Sequence, residues 1–173
     1  MRTHSVYIGL GSSLGDRLAS MRAAVQHMRA IMDVHEVSHL YAAQPLGVVR
    51  NDTLLSAVAH CMTDLIPIDL LIELQKIERK LGSSRVQGPR PIDLDILFYD
   101  SVIIDTYRLL IPHPRLAERA YVLMPLAEIA PNLMHPVLYY TPVQLLQDAE
   151  DAAQVRVYTP MAPEQMRERA AGE

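Results

Sequence analysis

An α+β sandwich is the architecture these 173 residues point to, and three observations carry it. The hydrophobic pattern alternates between strand-like and helix-like spacing in the order β, α, β, β, α, β. Neighbouring strand candidates are placed to pair as antiparallel hairpins, with helices on one face of the sheet. Half of the residues are hydrophobic against 21% charged, the balance of one soluble globular domain long enough to bury a sizeable core.

The elements follow in order. Ser5 to Leu10 is β-branched and aromatic, Gly11-Ser12-Ser13-Leu14-Gly15 makes a loop, and Asp16 is placed to cap a helix. Leu18, Met21, Val25, Met28 and Ile31 then recur at helical spacing. Val34 to Tyr41 roughly alternates polar and apolar, and Leu54 to Met62 reads as a strand able to pair with it. Pro67 suits a first helical turn, Leu70, Leu71, Leu74, Ile77 and Leu81 form one stripe, and Gly82 closes that helix. The next strand spans Ile92 to Tyr99, and Val102 to Ile104 is expected to fold back on it as a second hairpin. Beyond Pro112 dense prolines predict only short helical pieces, Leu126 to Ala130 and Val143 to Asp148. Residues 1–158 are expected to form one domain and 159–173 a frayed or disordered tail. The element order is that of the ferredoxin-like sandwich with a largely antiparallel sheet, a fold that hosts many functions, so function has to come from a site.

Composition excludes several classes of partner. The net charge of −4 provides no global basic field for nucleic acid or an anionic membrane, so a polyanionic ligand needs a local arginine cluster. No stretch approaches a membrane span, and the apolar run Val6 to Leu10 is too short for a signal peptide, so a cytoplasmic protein is expected, a monomer or a weak homodimer. The single cysteine, Cys61, reads as a small apolar core residue. Aromatics are scarce, eight Tyr, Phe98 and no Trp, which shortens the list of stacking partners for a planar ligand.

The most informative stretch is Gly88-Pro89-Arg90-Pro91-Ile92-Asp93-Leu94-Asp95-Ile96-Leu97. In a strand Asp93 and Asp95 share one face, roughly 7 Å apart at Cα, with Leu97 and Tyr99 continuing that face and Ile92, Leu94, Ile96 and Phe98 on the other. Two neighbouring carboxylates raise one another's pKa unless a cation sits between them, and a hard divalent ion such as Mg2+ is the usual resident. Further on, Pro112 and Pro114 fix the backbone around His113, and Arg108, Arg115 and Arg119 nearby offer the forked donors that match phosphate oxygens. The loop from Gly9 to Gly15 joins a strand to a helix N-terminus but lacks dinucleotide or Walker spacing, so it reads as a tight turn first and a ligand-facing loop second.

Gly88-Pro89-Arg90-x-x-Asp93-x-Asp95 resembles the signature of the 6-hydroxymethyl-7,8-dihydropterin pyrophosphokinase family of the folate pathway. Supporting matches are spread in order over roughly residues 5 to 145: Tyr7-Ile8-Gly9-Leu10-Gly11-Ser12-Ser13-Leu14-Gly15, Pro45-Leu46-Gly47, Gln75-x-x-Glu78, Ile111-Pro112-His113-Pro114-Arg115, and Arg119-x-Tyr121-Val122-Leu123-x-Pro125-Leu126. The resemblance implies transfer of pyrophosphate from ATP to the pterin hydroxymethyl oxygen with release of AMP. It implies that Asp93 and Asp95 hold two Mg2+ ions, with Asp95 assisting deprotonation of the attacking oxygen. It further implies that Gln75, Arg108, His113 and, from a loop, Arg85 contact the nucleotide phosphates, that Arg90 and Arg119 contact the transferred group, and that Glu78 and Ile96 lie around the nucleoside. Tyr121 falls at the position of an aromatic that stacks on the pterin, and Ala43, Leu46, Leu54 and Ser56 at the other pterin-facing positions.

Departures from the family pattern concentrate in two places. The loop between Gly82 and Gly88 is shortened to Ser83-Ser84-Arg85-Val86-Gln87, without the Trp and several basic residues usual there, which implies weaker closure over the phosphates. At the pterin side Leu54 replaces an aromatic, Ser56 an asparagine, Ala43 a polar residue and Gln44 a proline. Losing an amide that can donate and accept could cost on the order of 1–3 kcal/mol or change which ring is accepted. The alternatives are therefore a pyrophosphokinase acting on a modified pterin, and a non-catalytic ligand-binding or interaction domain on the same scaffold.

Overall fold

A computed structural model describes residues 3–44, 53–83 and 89–158. Leu46, Arg85 and the tail 159–173 lie outside the described residues. Strand β1 (His4–Ser12) is the centre of the molecule, pairing antiparallel with β4 (Leu54–Thr63) on one side and β5 (Asp93–Tyr99) on the other. Beyond β4, β2 (Asp33–Val37) and β3 (Tyr41–Ala43) share the place of one strand, and β8 (Val155–Val157) adds to β3. All of these pairings are antiparallel, and the order β5-β1-β4-β3 is the expected ferredoxin-like core.

Helix α1 (Arg17–Arg29) starts where expected: the Asp16 carboxylate accepts from Ala19 N at 3.0 Å. Helix α2 (Pro67–Lys80) ends on Gly82 at φ +91°, where Ser83 N donates to Glu78 O and Gly82 N to Arg79 O. That paired closure needs a left-handed residue, which glycine supplies without strain. Together the two helices cover one face of the sheet, Met21, Ala24, Met28, Leu70, Leu74 and Ile77 packing on Val6, Ile8, Leu10, Ala57 and Ile96. Cys61 is fully buried in this layer, as the sequence implied, and burial pushes its thiol up to about 12.

Four expectations are corrected. Strand β1 continues through Gly11 and Ser12, since Gly11 pairs with both Ser56 and Asp93, so the expected loop begins only after it. Strand β5 does not alternate to its end: Tyr7 faces Phe98 but Ile8 faces Ile96, leaving Leu97 as an extra residue. This bulge puts Leu97 and Phe98 together on the second face and returns Tyr99 to the first, so Tyr99 does not continue the face of Asp93 and Asp95. Val102 to Ile104 does not pair with β5; a separate hairpin forms between β6 (Ile104–Asp105) and β7 (Leu110–Ile111). The free edge of β5 is instead met by His113 N, which donates to Leu97 O at 3.0 Å.

The fourth correction concerns α3 (Ala120–Ile129), which runs through Pro125 and covers the second face of the sheet with Val122, Leu123 and Leu126 against Val58, Leu97 and Phe98. Helices therefore lie on both faces. Proline in a helix strands the carbonyl four residues back; here that carbonyl belongs to Tyr121, and the Ser56 hydroxyl donates to it at 2.6 Å. Helix α4 (Pro142–Gln147) carries a Thr141–Gln144 capping box.

Glu128 ties α3 to the sheet edge. One oxygen accepts from His39 N at 3.0 Å and lies 2.7 Å from His39 Nδ1, and the other accepts from the Tyr41 hydroxyl at 2.7 Å. Burial alone would raise its pKa, but these hydrogen bonds outweigh it and hold the carboxyl below the usual range. A depressed carboxylate stabilises the fold above its unfolded pKa and loses that contribution as pH falls through the folded one. Glu128→Ala is expected to cost about 1–2 kcal/mol in urea denaturation at pH 7, and less at pH 3; an equal loss at both would show that packing, and not charge, holds the tie.

Candidate active site

The site is built on the β1–β5 ladder where β1 carries no side chains. Gly9 lies opposite Asp95 and Gly11 opposite Asp93, so β1 places no side chain of its own beside either carboxylate. A Cβ at Gly9 would stand 3.2 Å from Leu97, which explains a small residue there. Gly9, Gly11, Leu54, Ser56, Asp93, Asp95, Arg119 and Tyr121 line a cleft of about 600 Å3, together with Leu97, His113, Arg115 and Val122. A second cleft of about 350 Å3 is lined by Leu71, Gln75, Glu78, Arg79, Ser83 and Arg108. Arg90 lines both.

Electrostatics mark the carboxylate wall. Burial and then the neighbouring Asp93 push Asp95 up to about 6, against the pull of Arg119 and Arg90. Glu78 is pushed to about 7, first by burial and then by Asp93 and Asp95, although Leu94 N donates to it at 2.8 Å and Arg90 opposes the rise. That hydrogen bond also satisfies a donor on the edge of β5 and draws α2 against the strand between the two aspartates. Arg90 Nη1 reaches Asp93 Oδ1 at 3.1 Å. Ser83 holds the start of the strand, its hydroxyl donating to Ile92 O and accepting from Ile92 N.

His113 stands with Nε2 3.7 Å from Asp95 Oδ2. Burial holds its pKa below the ordinary imidazole value, with Arg119 and Arg115 pulling the same way and Asp93 opposing. Nδ1 accepts from Arg115 N at 3.2 Å, so the neutral ring carries its proton on Nε2, facing the carboxylate. Tyr121 lies under the Arg119 guanidinium, 5.7 Å from its centre to the ring centroid. Burial raises its phenol, Arg119 and Arg115 oppose the rise, and Asp151 and Asp95 add to it.

The expected residues thus fall into two groups. Gln75, Glu78 and Arg108 meet in the smaller cleft, and Asp93, Asp95, His113, Arg119, Leu54, Ser56 and Tyr121 in the larger, so the arginines expected around His113 are divided, Arg108 lying apart from Arg115 and Arg119. Ile96 lines neither cleft; it is buried at 4% exposure in the layer under α1 and α2. Ala43 lines a smaller adjoining cavity shared with Leu54 and Tyr121. Sequence reasoning missed Arg79 and Leu71, which follow from helical spacing with Gln75 and Glu78, and missed Asp151 and Gln154 beside Ala43, which no local pattern marks.

An antiparallel α+β sandwich with two clefts that share an arginine and an aspartate pair on one wall has the makings of a phosphoryl-transfer enzyme. Residues 7–131 match the family model described as 7,8-dihydro-6-hydroxymethylpterin-pyrophosphokinase. The chain belongs to that family. It is 36% identical over 135 residues to the 2-amino-4-hydroxy-6-hydroxymethyldihydropteridine pyrophosphokinase of Aquifex aeolicus, covering 77% of this chain and 84% of that protein. The Bacillus subtilis enzyme of the same name is 43% identical over 127 residues, covering 71% and 76%. Among solved structures, the Plasmodium falciparum HPPK-DHPS crystal structure with pteroate superposes with a TM-score of 0.68 at 16% identity over 84% of this chain, which spans 42% of that one; this shows the shared fold. Membership makes the chain a pyrophosphokinase, a transferase of folate biosynthesis. Among the described residues no helix is long and apolar enough to cross a membrane.

Proposed function

We propose that the chain transfers the terminal pyrophosphoryl group of ATP to the hydroxymethyl oxygen of 6-hydroxymethyl-7,8-dihydropterin, releasing AMP, with Mg2+ held by Asp93 and Asp95. The meeting of two clefts at Arg90 is the observation that most supports this. A triphosphate extending from the side of Gln75, Glu78 and Arg108 passes Arg90 and ends beside the aspartates. A flat acceptor between Leu54 and Tyr121 offers its hydroxymethyl arm to the same place. Bringing two substrates into line is the larger part of catalysis for such a transfer.

The aspartates suit a hard cation: two oxygen donors on one wall, with Asp95 pushed up to about 6 partly by its neighbour. Among the described residues no cluster of three or more protein ligands forms, so substrate phosphate and water would complete the shell around two ions. When bound, Mg2+ neutralises phosphate charge and acidifies the attacking hydroxyl. Arg90 and Arg119 supply forked donors to the transferred group, and His113 donates a hydrogen bond from its Nε2–H to a phosphate oxygen. Gln75 and Arg108 hold the nucleotide phosphates and Glu78 borders the nucleoside. Asp95 takes the hydroxyl proton as the bond from that oxygen to the β-phosphorus forms. The bond from the β-phosphorus to the α,β-bridging oxygen breaks, and that oxygen leaves on AMP.

Incubation of the protein with ATP, Mg2+ and the reduced pterin is expected to release AMP in proportion to acceptor consumed. EDTA should stop the reaction and excess Mg2+ restore it. Release of ADP in place of AMP, or turnover indifferent to EDTA, would overturn the proposal.

A further inference from the structure

A cavity of about 220 Å3 adjoins the larger cleft and is walled by Ala43, Gln44, Leu54, Tyr121, Asp151 and Gln154. Leu54 and Tyr121 are walls of both, so a planar ring between them has one edge toward Asp95 and Arg119 and another toward this cavity. Two of its polar side chains come from a segment beyond residues 7–131, the part of the chain that matches the family model. They arrive there through β8, whose Val155 pairs with Ala43 of β3, and through Gln44 N, which donates to Gln154 O at 3.4 Å.

Asp151 is anchored at the cavity wall through one carboxylate oxygen. Its Oδ1 accepts from Ala120 N at 3.0 Å, the first residue of α3 and the neighbour of Tyr121. Among the described residues its Oδ2 takes no hydrogen bond, and the Gln154 side chain makes none. On the facing strand Ser56 has committed its proton to the Tyr121 carbonyl that Pro125 leaves unpaired, so it can accept from a ligand but not donate. A 2-amino-4-oxo pyrimidine edge presents two adjacent N–H donors, on the 2-amino group and N3, beside one carbonyl acceptor. A carboxylate with a free oxygen complements the donors, and a carboxamide can donate to the carbonyl.

Resting on the acceptor placement of the preceding subsection, we propose that Asp151 and Gln154 read the 2-amino-4-oxo edge of the pterin, Asp151 accepting from the amino group and N3–H and Gln154 donating to the 4-oxo group. Recognition of that edge is carried by the C-terminal segment, where β4 has Ser56 and β3 has Ala43. Asp151 is then a specificity-determining residue: a ring bearing a 2-oxo group meets a carboxylate with a second acceptor and is rejected.

The test compares binding of 6-hydroxymethylpterin and its 2-oxo analogue by isothermal titration of the full chain, with Mg2+ and a non-hydrolysable ATP analogue present. The wild type is expected to prefer the 2-amino ring by about 30-fold or more, as buried polar groups penalise an unmatched partner. Asp151→Asn keeps the oxygen that accepts from Ala120 N and replaces the other by a donor. It should weaken pterin binding by about 10-fold or more and bring the preference to about unity or reverse it. A merely structural role for Asp151 would weaken both rings alike, and a ring preference unchanged within about threefold would overturn the proposal. So would a wild type that binds no pterin. If the variant does not fold, Gln154→Leu serves instead: weaker binding of the 4-oxo ring is expected, and unchanged affinity counts against the assignment. AMP release is scored separately, so failure of transfer with the ring preference intact would sink the proposed reaction and leave this edge recognition standing.

Discussion

Asp95→Asn is expected to lower kcat/KM by at least about 10^3-fold, because one substitution removes both a charge from the wall proposed to hold Mg2+ and the proposed proton acceptor. The variant should nevertheless be the more stable protein when no divalent ion is present. Asp95 is pushed up to about 6 and Glu78 to about 7, so both are raised above their unfolded values. A carboxylate raised in this way contributes stability that is fully present below its unfolded pKa and is lost as pH rises through the folded one. Between about pH 4 and 7 the ion-free wild type is therefore expected to lose stability, and Mg2+ with nucleotide to restore it. The Asp95 side chain is 38% exposed, so solvent screening reduces its share to on the order of 1 kcal/mol, or about 2–4 °C in Tm. Melting curves with EDTA from pH 4 to 8 measure this. A flat pH profile, or a variant that melts lower than wild type, would show that Asp95 is held by favourable contacts and is not poised for a cation; activity within tenfold of wild type would remove it from the reaction.

Arg90→Ala is expected to reduce kcat by about 10^2–10^3-fold, the usual consequence of removing a preorganised donor from developing phosphate charge. Arg90 borders both clefts and pairs with Asp93 at 3.1 Å, so its loss removes the proposed link between nucleotide and acceptor and leaves Asp93 without that cation. Because Arg90 pulls the Asp95 and Glu78 pKa values down, the acidic limb of the pH–rate profile should also move to higher pH. Lysine should recover only part of the rate, since it keeps the charge but not the fork. A rate loss with an unmoved limb would place Arg90 on the substrate alone and remove its role in setting the carboxylate charge.

How far sequence reasoning reached depended on the range of the interaction involved. Asp16, Pro67 and Gly82 announce the helix ends because capping acts within a few residues, and the structure has all three in those roles. Asp93 and Asp95 share a wall because two-residue periodicity is a property of the strand itself. The same reasoning failed two residues later, where an extra residue opposite β1 turned Phe98 and Tyr99 over; a bulge is set by the partner strand and leaves no local mark. Pro125 is the opposite case. Its local rule predicts a break, and the hydroxyl of Ser56, 65 residues before the stranded Tyr121 carbonyl, cancels it.

Residue type and spacing along the chain were enough for the layered fold, the aspartate pair, the family resemblance and the scarcity of aromatics that left Tyr121 as the expected stacking partner. Pairing across the sheet was needed to divide the arginines between two clefts and bury Ile96. It also turned Ser56 toward the helix and carried Asp151 and Gln154 to the cavity beside Tyr121. The division has a physical origin: periodicity and capping are short-range and encoded locally, whereas the neighbours of a side chain in space are chosen by strand register and helix packing, which draw on the whole chain.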